Sequence, residues 1–81
     1  MTGIITGNNF CSETITRITK ALNKAGIKDK EQIKRIISKS WLNNFGDCGI
    51  IINGNRMALI SMTWSQRKIN AAILECLTLN Y

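Results

Sequence analysis

The sequence predicts a small α+β domain with the element order (β)-α-α-β-β-α, forming one domain over residues 1–81. Two segments in the first half carry apolar residues at helical spacing, and a third such segment ends the chain. Between them, an Asn53-Gly54 pair separates two runs of β-forming residues, which is the strongest short signal for a hairpin. A chain of 81 residues can bury one thin core.

The N-terminal segment predicts a short strand, a turn and the first helix. Ile4-Ile5-Thr6 has the composition of a strand, and Gly7-Asn8-Asn9 is typical of a turn. Ser12 is a favourable N-cap for the helix that follows, and Gly26 is a natural C′ residue to end it. This helix would bury an apolar stripe formed by Ile15, Ile18, Leu22 and Ala25.

A second helix is expected to begin at Asp29. Asp29 and Gln32 stand three residues apart and resemble a capping box, with Asp in place of Ser or Thr. We expect the helix to close at Phe45 and Gly46. Its core-facing residues would be Ile33, Ile36, Ile37 and Trp41.

The hairpin is predicted at about residues 49–62. With Asn53-Gly54 as the turn, alternate residues define two faces. One face would carry Ile50, Ile52, Met57 and Leu59, and the other would carry Ile51, Ala58 and Ile60. Because both faces are apolar, a helix should cover one, and the other needs the first helices, a second subunit or a partner.

The last helix is predicted at about residues 64–79. Thr63 and Gln66 form a capping box of the T-x-x-Q type. A core-facing stripe follows, formed by Ile69, Ala72, Ile73, Cys76 and Leu77. The aromatic residues show no regular spacing, so most of them are expected in the core; they are Phe10, Trp41, Phe45, Trp64 and Tyr81.

The whole net charge of the chain belongs to one segment. Residues 17–39 contain eight cations and the two acids Asp29 and Glu31, a balance that equals the chain's formal charge of +6. The remaining cations and acids cancel. The segment should therefore create a one-sided positive potential. Its cations are Arg17, Lys20, Lys24, Lys28, Lys30, Lys34, Arg35 and Lys39.

The sequence favours nucleic-acid binding through a basic face of the first two helices. The short link at residues 25–29 resembles the turn of a helix-turn-helix motif, and the hairpin follows where winged domains place a wing. The resemblance covers about residues 12–45 and rests on element order and charge. The resemblance implies that the second helix enters the major groove. We interpret the chain as a non-enzymatic regulatory protein of phage or mobile-element type, with duplex DNA as the favoured partner.

Three groups of residues would make the contacts. The second helix would face bases or phosphates with Lys30, Lys34 and Arg35. Lys28 and Lys39, which fall on the same far side of this helix as Arg35, would belong to the same binding surface. The first helix would hold the phosphate backbone with Arg17, Lys20 and Lys24. The hairpin tip would add Arg56, with Asn43 and Asn44.

A second hypothesis is a protein-binding inhibitor or regulator of a host complex, of the kind that phages and mobile elements encode. The chain is short and motif-free, and it is rich in isoleucine, asparagine and lysine, whose codons are AT-rich. Its basic face would dock on an acidic protein surface, and its hairpin would supply apolar contacts. Two other interpretations stay open: the basic helices are ordinary solvated faces, or the hairpin or last helix forms a homodimer.

Catalysis and cofactor binding find no support in the sequence. The chain has no histidine, which removes the usual general base and the usual metal ligand. The glycines are scattered at turns and form no phosphate loop. The three cysteines, Cys11, Cys48 and Cys76, are an odd number without C-x-x-C spacing, which argues against a zinc site and a disulfide framework, and we expect them to be small buried hydrophobes. We therefore expect no enzyme, cofactor or metal site.

The chain is expected to be a soluble cytoplasmic protein without a membrane partner. No apolar run approaches the ~20 residues that cross a membrane. Residues 1–10 lack the basic start and the long apolar centre of a signal peptide.

Overall fold

A computed structural model describes residues 3–53 and 56–78. It confirms the α+β class and the predicted order of helices and hairpin, and it adds one short strand before the hairpin. The strands are β1 (Ile5–Thr6), β2 (Trp41–Leu42), β3 (Asp47–Asn53) and β4 (Arg56–Ser61). The helices are α1 (Ser12–Lys24), α2 (Lys30–Lys39) and α3 (Gln66–Thr78), with a 3₁₀ turn at Gly7–Asn9 before α1.

The four strands form one antiparallel sheet in the order β1-β2-β3-β4. Because side chains alternate along each strand and paired residues share a side, the register separates two faces. We call core face the side that carries Leu42, Cys48, Ile50, Ala58 and Ile60. We call outer face the side that carries Trp41, Gly49, Ile51, Met57 and Leu59.

All three helices lie on the core face. α2 contacts β3, α3 contacts β4, and α1 packs against α3. Their apolar side chains meet the sheet in one cluster, in which Ile18, Ile50 and Ile69 are completely buried. On the outer face, Met57 and Leu59 stay 45% and 60% exposed. The prediction that a helix covers one apolar face of the hairpin is therefore confirmed, and the other face is open among the described residues.

The link between α1 and α2 is a Schellman turn, as Gly26 predicts. The Gly26 N–H donates to the Asn23 carbonyl at 3.1 Å, and the Ile27 N–H donates to the Leu22 carbonyl at 2.9 Å. Gly26 has a φ of +99°, a conformation that side chains strongly disfavour. Both bonds satisfy carbonyls at the end of α1, so the chain can reverse towards α2.

Two helix starts lie one or two residues from the predicted caps. Cys11 is the N-cap of α1, so Ser12 is the first helical residue. Before α3, the hydroxyl of Ser65, not that of Thr63, accepts from the Lys68 N–H at 3.2 Å. These small shifts leave the predicted apolar stripes on the same helix faces.

α2 ends at Lys39, well before the predicted stop near Phe45. Ser40 takes an extended backbone, and its fully buried hydroxyl donates to the Ile36 carbonyl at 2.7 Å. The same oxygen accepts from the Ile51 N–H at 3.1 Å. This link ties the end of α2 to β3 and turns the following residues into the sheet as β2.

The predicted place of Trp41 inside the second helix is therefore wrong. Trp41 pairs with Gly49, and a Cβ atom on Gly49 would lie 2.5 Å from the indole. Only glycine at this position lets the indole lie against the strand on the outer face. Phe45 also departs from the expected core position because it is 83% exposed, whereas Phe10 is buried.

The hairpin register differs by one residue from the predicted register. Ile50 pairs with Ala58 and Ile51 pairs with Met57, so the two faces of β4 are exchanged relative to β3. An irregularity between Ile51 and Asn53 inserts one extra residue into β3 before the turn. The predicted turn pair itself lies partly outside the described residues.

Arg17 joins α1 to the start of α3. Its guanidinium donates to the carbonyls of Met62, at 2.7 Å, and Trp64, and to the side chain of Gln66 at 3.4 Å. The Gln66 amide donates in return to the Arg17 carbonyl at 2.9 Å. Arg17 is therefore a half-buried structural cation, not the exposed contact that the sequence predicted on this helix.

The variant Arg17→Met should destabilise the fold. It removes a charged donor from two carbonyls, and such bonds contribute about 1.5–3 kcal/mol, so we expect the free energy of unfolding to fall by about 2 kcal/mol. Urea denaturation followed by tryptophan fluorescence measures this change. Arg35→Met is the matched control on an exposed side chain, where the change should stay below about 0.5 kcal/mol. Equal losses in both variants would contradict the structural role of Arg17.

Candidate nucleic-acid interface

Seven of the nine cations predicted to make contacts have exposed side chains. They are Lys20, Lys24, Lys28, Lys30, Lys34, Arg35 and Lys39. Within residues 3–53 and 56–78, the side chains of these seven form no hydrogen bond or ion pair. The carboxylate of Asp29, one of the two acids within this segment, accepts from the Glu31 N–H at 3.2 Å and caps α2. The charge of the seven cations therefore faces solvent.

The four cations of α2 lie on two flanks of the helix. Lys30 and Lys34 share one flank, and Arg35 and Lys39 share the other. At about 100° per residue, the two members of each pair are about 40° apart and the flanks are about 140° apart. The strip between the flanks carries Glu31 and Ser38, while the opposite side buries the isoleucines of the helix.

Lys30 and Lys34 also border a groove between α1 and α2. The groove has a volume of about 420 Å³, and its apolar lining includes Ile15, Ile33 and Ile37. An anionic group at the edge of this groove would meet two lysines and an apolar floor.

The cations of the two helices do not merge into one continuous face. On α1, Lys20 and Lys24 lie about 60° and about 20° from Arg17 around the helix axis. Arg17 points to the start of α3, whereas Ile15 and Thr19 line the groove towards α2. The lysines of α1 therefore lie nearer the α3 side, and the predicted two-helix face is divided into an α2 part and an α1 part.

Arg56 and Asn43, which the sequence predicted as contact residues at the hairpin tip, form hydrogen bonds within the protein. The Arg56 guanidinium donates to the Leu77 carbonyl at 3.2 Å, at the C-terminal end of α3 where a cation is favourable. Asn43 lies in the loop between β2 and β3, and its side-chain oxygen accepts from the N–H groups of Phe45 and Asp47 at 2.9 and 3.0 Å. Arg56 thus joins the hairpin to the end of α3, and Asn43 stabilises its own loop.

The sequence did not predict a groove at the edge of the outer face. It has a volume of about 640 Å³, with an apolar lining of Trp41, Leu59, Ile60 and Trp64 and polar side chains from Asn43, Asp47 and Ser61. The Lys68 ammonium lies 4.3 Å from the ring centroid of Trp64, in a cation–π contact. The only feature of the sequence that could have indicated this groove is the apolar pattern on both faces of the hairpin. The position of Trp41 could not be predicted, because helical periodicity placed this residue in a helix and not in β2.

The three cysteines have different environments. Cys48 is fully buried on the core face, and burial raises the pKa of its thiol to about 12. Cys11 is exposed, which contradicts the prediction that it is buried. A hydrogen bond with the Thr14 hydroxyl at 3.3 Å lowers the pKa of the Cys11 thiol. Cys76 is half-buried beside the core.

Among the described residues, no group of three or more His, Cys, Asp or Glu side chains could hold a metal ion. In the same part of the chain, no helix has the length and apolar character that a membrane span requires. Comparisons with protein-family models, with curated proteins and with solved structures find no match. Any function proposed for the exposed cations of residues 20–39 therefore depends on their geometry and charge.

Cys11 should react with iodoacetamide well before Cys48. The thiolate is the nucleophile, so at about pH 8 the lowered pKa of the exposed Cys11 thiol favours reaction, whereas the buried Cys48 stays protonated. Peptide mass mapping of timed samples should find Cys11 modified in the native protein and Cys48 modified only in denaturant. Cys11→Ser should remove the early adduct. Equal rates at both thiols in the native protein would be incompatible with a buried Cys48.

Proposed function

We propose that this protein is a non-enzymatic nucleic-acid-binding protein, that duplex DNA is its preferred partner, and that α2 is the main contact element. The observation that carries the proposal is the group of seven exposed cations in residues 20–39, none of them paired within the described chain. Duplex DNA carries one negative charge per ~1.7 Å of its axis, and cations that neutralise phosphates release condensed counterions. That release supplies most of the sequence-independent affinity.

The arrangement of cations on α2 is compatible with a helix in the major groove. The groove is about 12 Å wide and admits one helix, whose two flanks then face the two phosphate backbones. Lys34 would reach one backbone, and Lys39, about 140° around the helix, would reach the other. Lys28 adds a cation just before the helix starts.

The strip of α2 that would face the bases has little capacity to read sequence. The Ser38 hydroxyl already donates to the Arg35 carbonyl at 2.8 Å. Glu31 remains, and a carboxylate can accept from cytosine. We therefore propose that phosphate contacts dominate and that base preference is weak.

A regulator that docks on an acidic protein surface is the second candidate function. The groove bordered by Lys30 and Lys34 favours it, because its apolar floor offers contacts that the phosphate backbone cannot use. In this alternative the protein inhibits or redirects a host complex, as small phage and mobile-element proteins do, and α2 binds an acidic and apolar segment of that complex.

Binding to a mixed-sequence duplex should weaken steeply with salt. Five phosphate contacts give a slope of log K against log salt of about −4.5, since each contact contributes about −0.9. Replacing both Arg35 and Lys39 by alanine should reduce the slope to about −2.7, because two of these contacts are lost. Fluorescence anisotropy of a labelled duplex at several salt concentrations measures both slopes.

The matched control replaces Arg67 and Lys68 by alanine. It removes two charges from exposed positions on α3 and leaves α2 intact, so its slope should stay at the wild-type value. The same flattening in both double variants would point to net charge alone and against α2 as the interface. Absence of duplex binding at low salt would reject the DNA proposal and favour the acidic protein partner.

A further inference from the structure

We infer that the outer face of the sheet is a self-association surface on which two copies of this chain pack face to face. The inference does not depend on nucleic-acid binding. It starts from four large apolar side chains that share the uncovered side of the sheet, Trp41, Ile51, Met57 and Leu59. Leu59 is 60% exposed and Met57 is 45% exposed, although both lie within β4 and are paired with β3.

An apolar sheet face of this kind is the usual inner surface of a two-layer β structure. Two sheets that pack face to face lie about 10 Å apart and interdigitate their side chains. In this protein the described helices all occupy the core face, so the second layer has to come from outside the described chain. A second layer would bury Met57 and Leu59, the exposed apolar side chains of this face, and remove them from water.

Charge favours a second copy as the occupant. Asp47 is the only charged residue that the described strands place on the outer face, and the Lys68 ammonium at its edge already contacts the Trp64 ring, so a strongly charged partner would find little to pair with. The seven exposed cations belong to the helix side of the sheet. Helices are about 10–12 Å across and stacked sheets are about 10 Å apart, so pairing leaves the two cationic surfaces on the order of 30 Å apart. This distance is several times the Debye length of about 8 Å at physiological salt, so repulsion between the copies is small.

On the outer face, the protruding side chains of Met57 and Leu59 lie next to a groove. Met57 and Leu59 are two residues apart on one strand, so they stand about 7 Å apart on the same side. This groove is the 640 Å³ groove that Trp41 and Trp64 line. In a two-fold pair every contact occurs twice. Met57 of each copy would then enter the groove of the other copy.

Sedimentation equilibrium of the full chain, free of nucleic acid, tests this inference. From low micromolar to submillimolar concentration we expect the average mass to rise from 9.1 kDa towards twice that value. The tryptophan emission should shift to shorter wavelength over the same range, because Trp41 and Trp64 border the contact and lose water. A mass that stays at the monomer value at every concentration would overturn the inference.

Two matched variants locate the contact. Leu59→Asp should weaken self-association by about tenfold or more, since each copy would place a charge inside an apolar contact. Circular dichroism should show an unchanged monomer fold, because Leu59 is exposed. Leu74→Asp makes the same chemical change at a 43% exposed position on α3 and should leave the association constant unchanged. Loss of the dimer in Leu74→Asp with retention in Leu59→Asp would place the interface elsewhere and reject the outer face.

Discussion

The packing of all three helices on one face of a four-stranded sheet is the constraint on which the rest of the structure depends. The core face of the sheet and the apolar stripes of the helices bury one another in a single cluster. Within residues 3–53 and 56–78, no further element covers the other face. The sheet therefore separates the molecule into a helical side that carries the cations and a strand side that carries exposed apolar residues.

Two polar residues, Ser40 and Arg17, link the helices to one another and to the sheet. Ser40 is fully buried, and its hydroxyl donates a hydrogen bond to α2 and accepts one from β3. The hydroxyl is therefore satisfied within the protein, as a buried polar group requires. Arg17 links α1 to the residues before α3 through two backbone carbonyls and Gln66. Arg17 illustrates a general point about basic segments. A cationic side chain can bind a ligand only if its N–H groups are not already used in hydrogen bonds within the fold.

The two proposed surfaces lie on opposite sides of the sheet and so do not compete. A pair formed through the outer face would carry its α2 helices outermost, pointing away from each other. Dimeric helix-turn-helix proteins instead present two recognition helices to one side of a duplex, about 34–36 Å apart. If the proposed nucleic-acid binding holds, the pair would bridge two separate duplexes and would not span two half-sites of one duplex.

Local features of the sequence determined the three helices, the hairpin and the segment that carries the charge. The Schellman turn at Gly26 and the cap at Asp29 act within a few residues, so they can be recognised without the fold. The tertiary structure alone decided the end of α2, the hairpin register and the roles of Arg17 and Arg56. Ser40 meets a partner 11 residues away, and Arg17 meets carbonyls 45 and 47 residues away. Periodicity reports which side of a helix or strand is apolar, but not which distant polar group a side chain will reach, because that depends on how the elements pack.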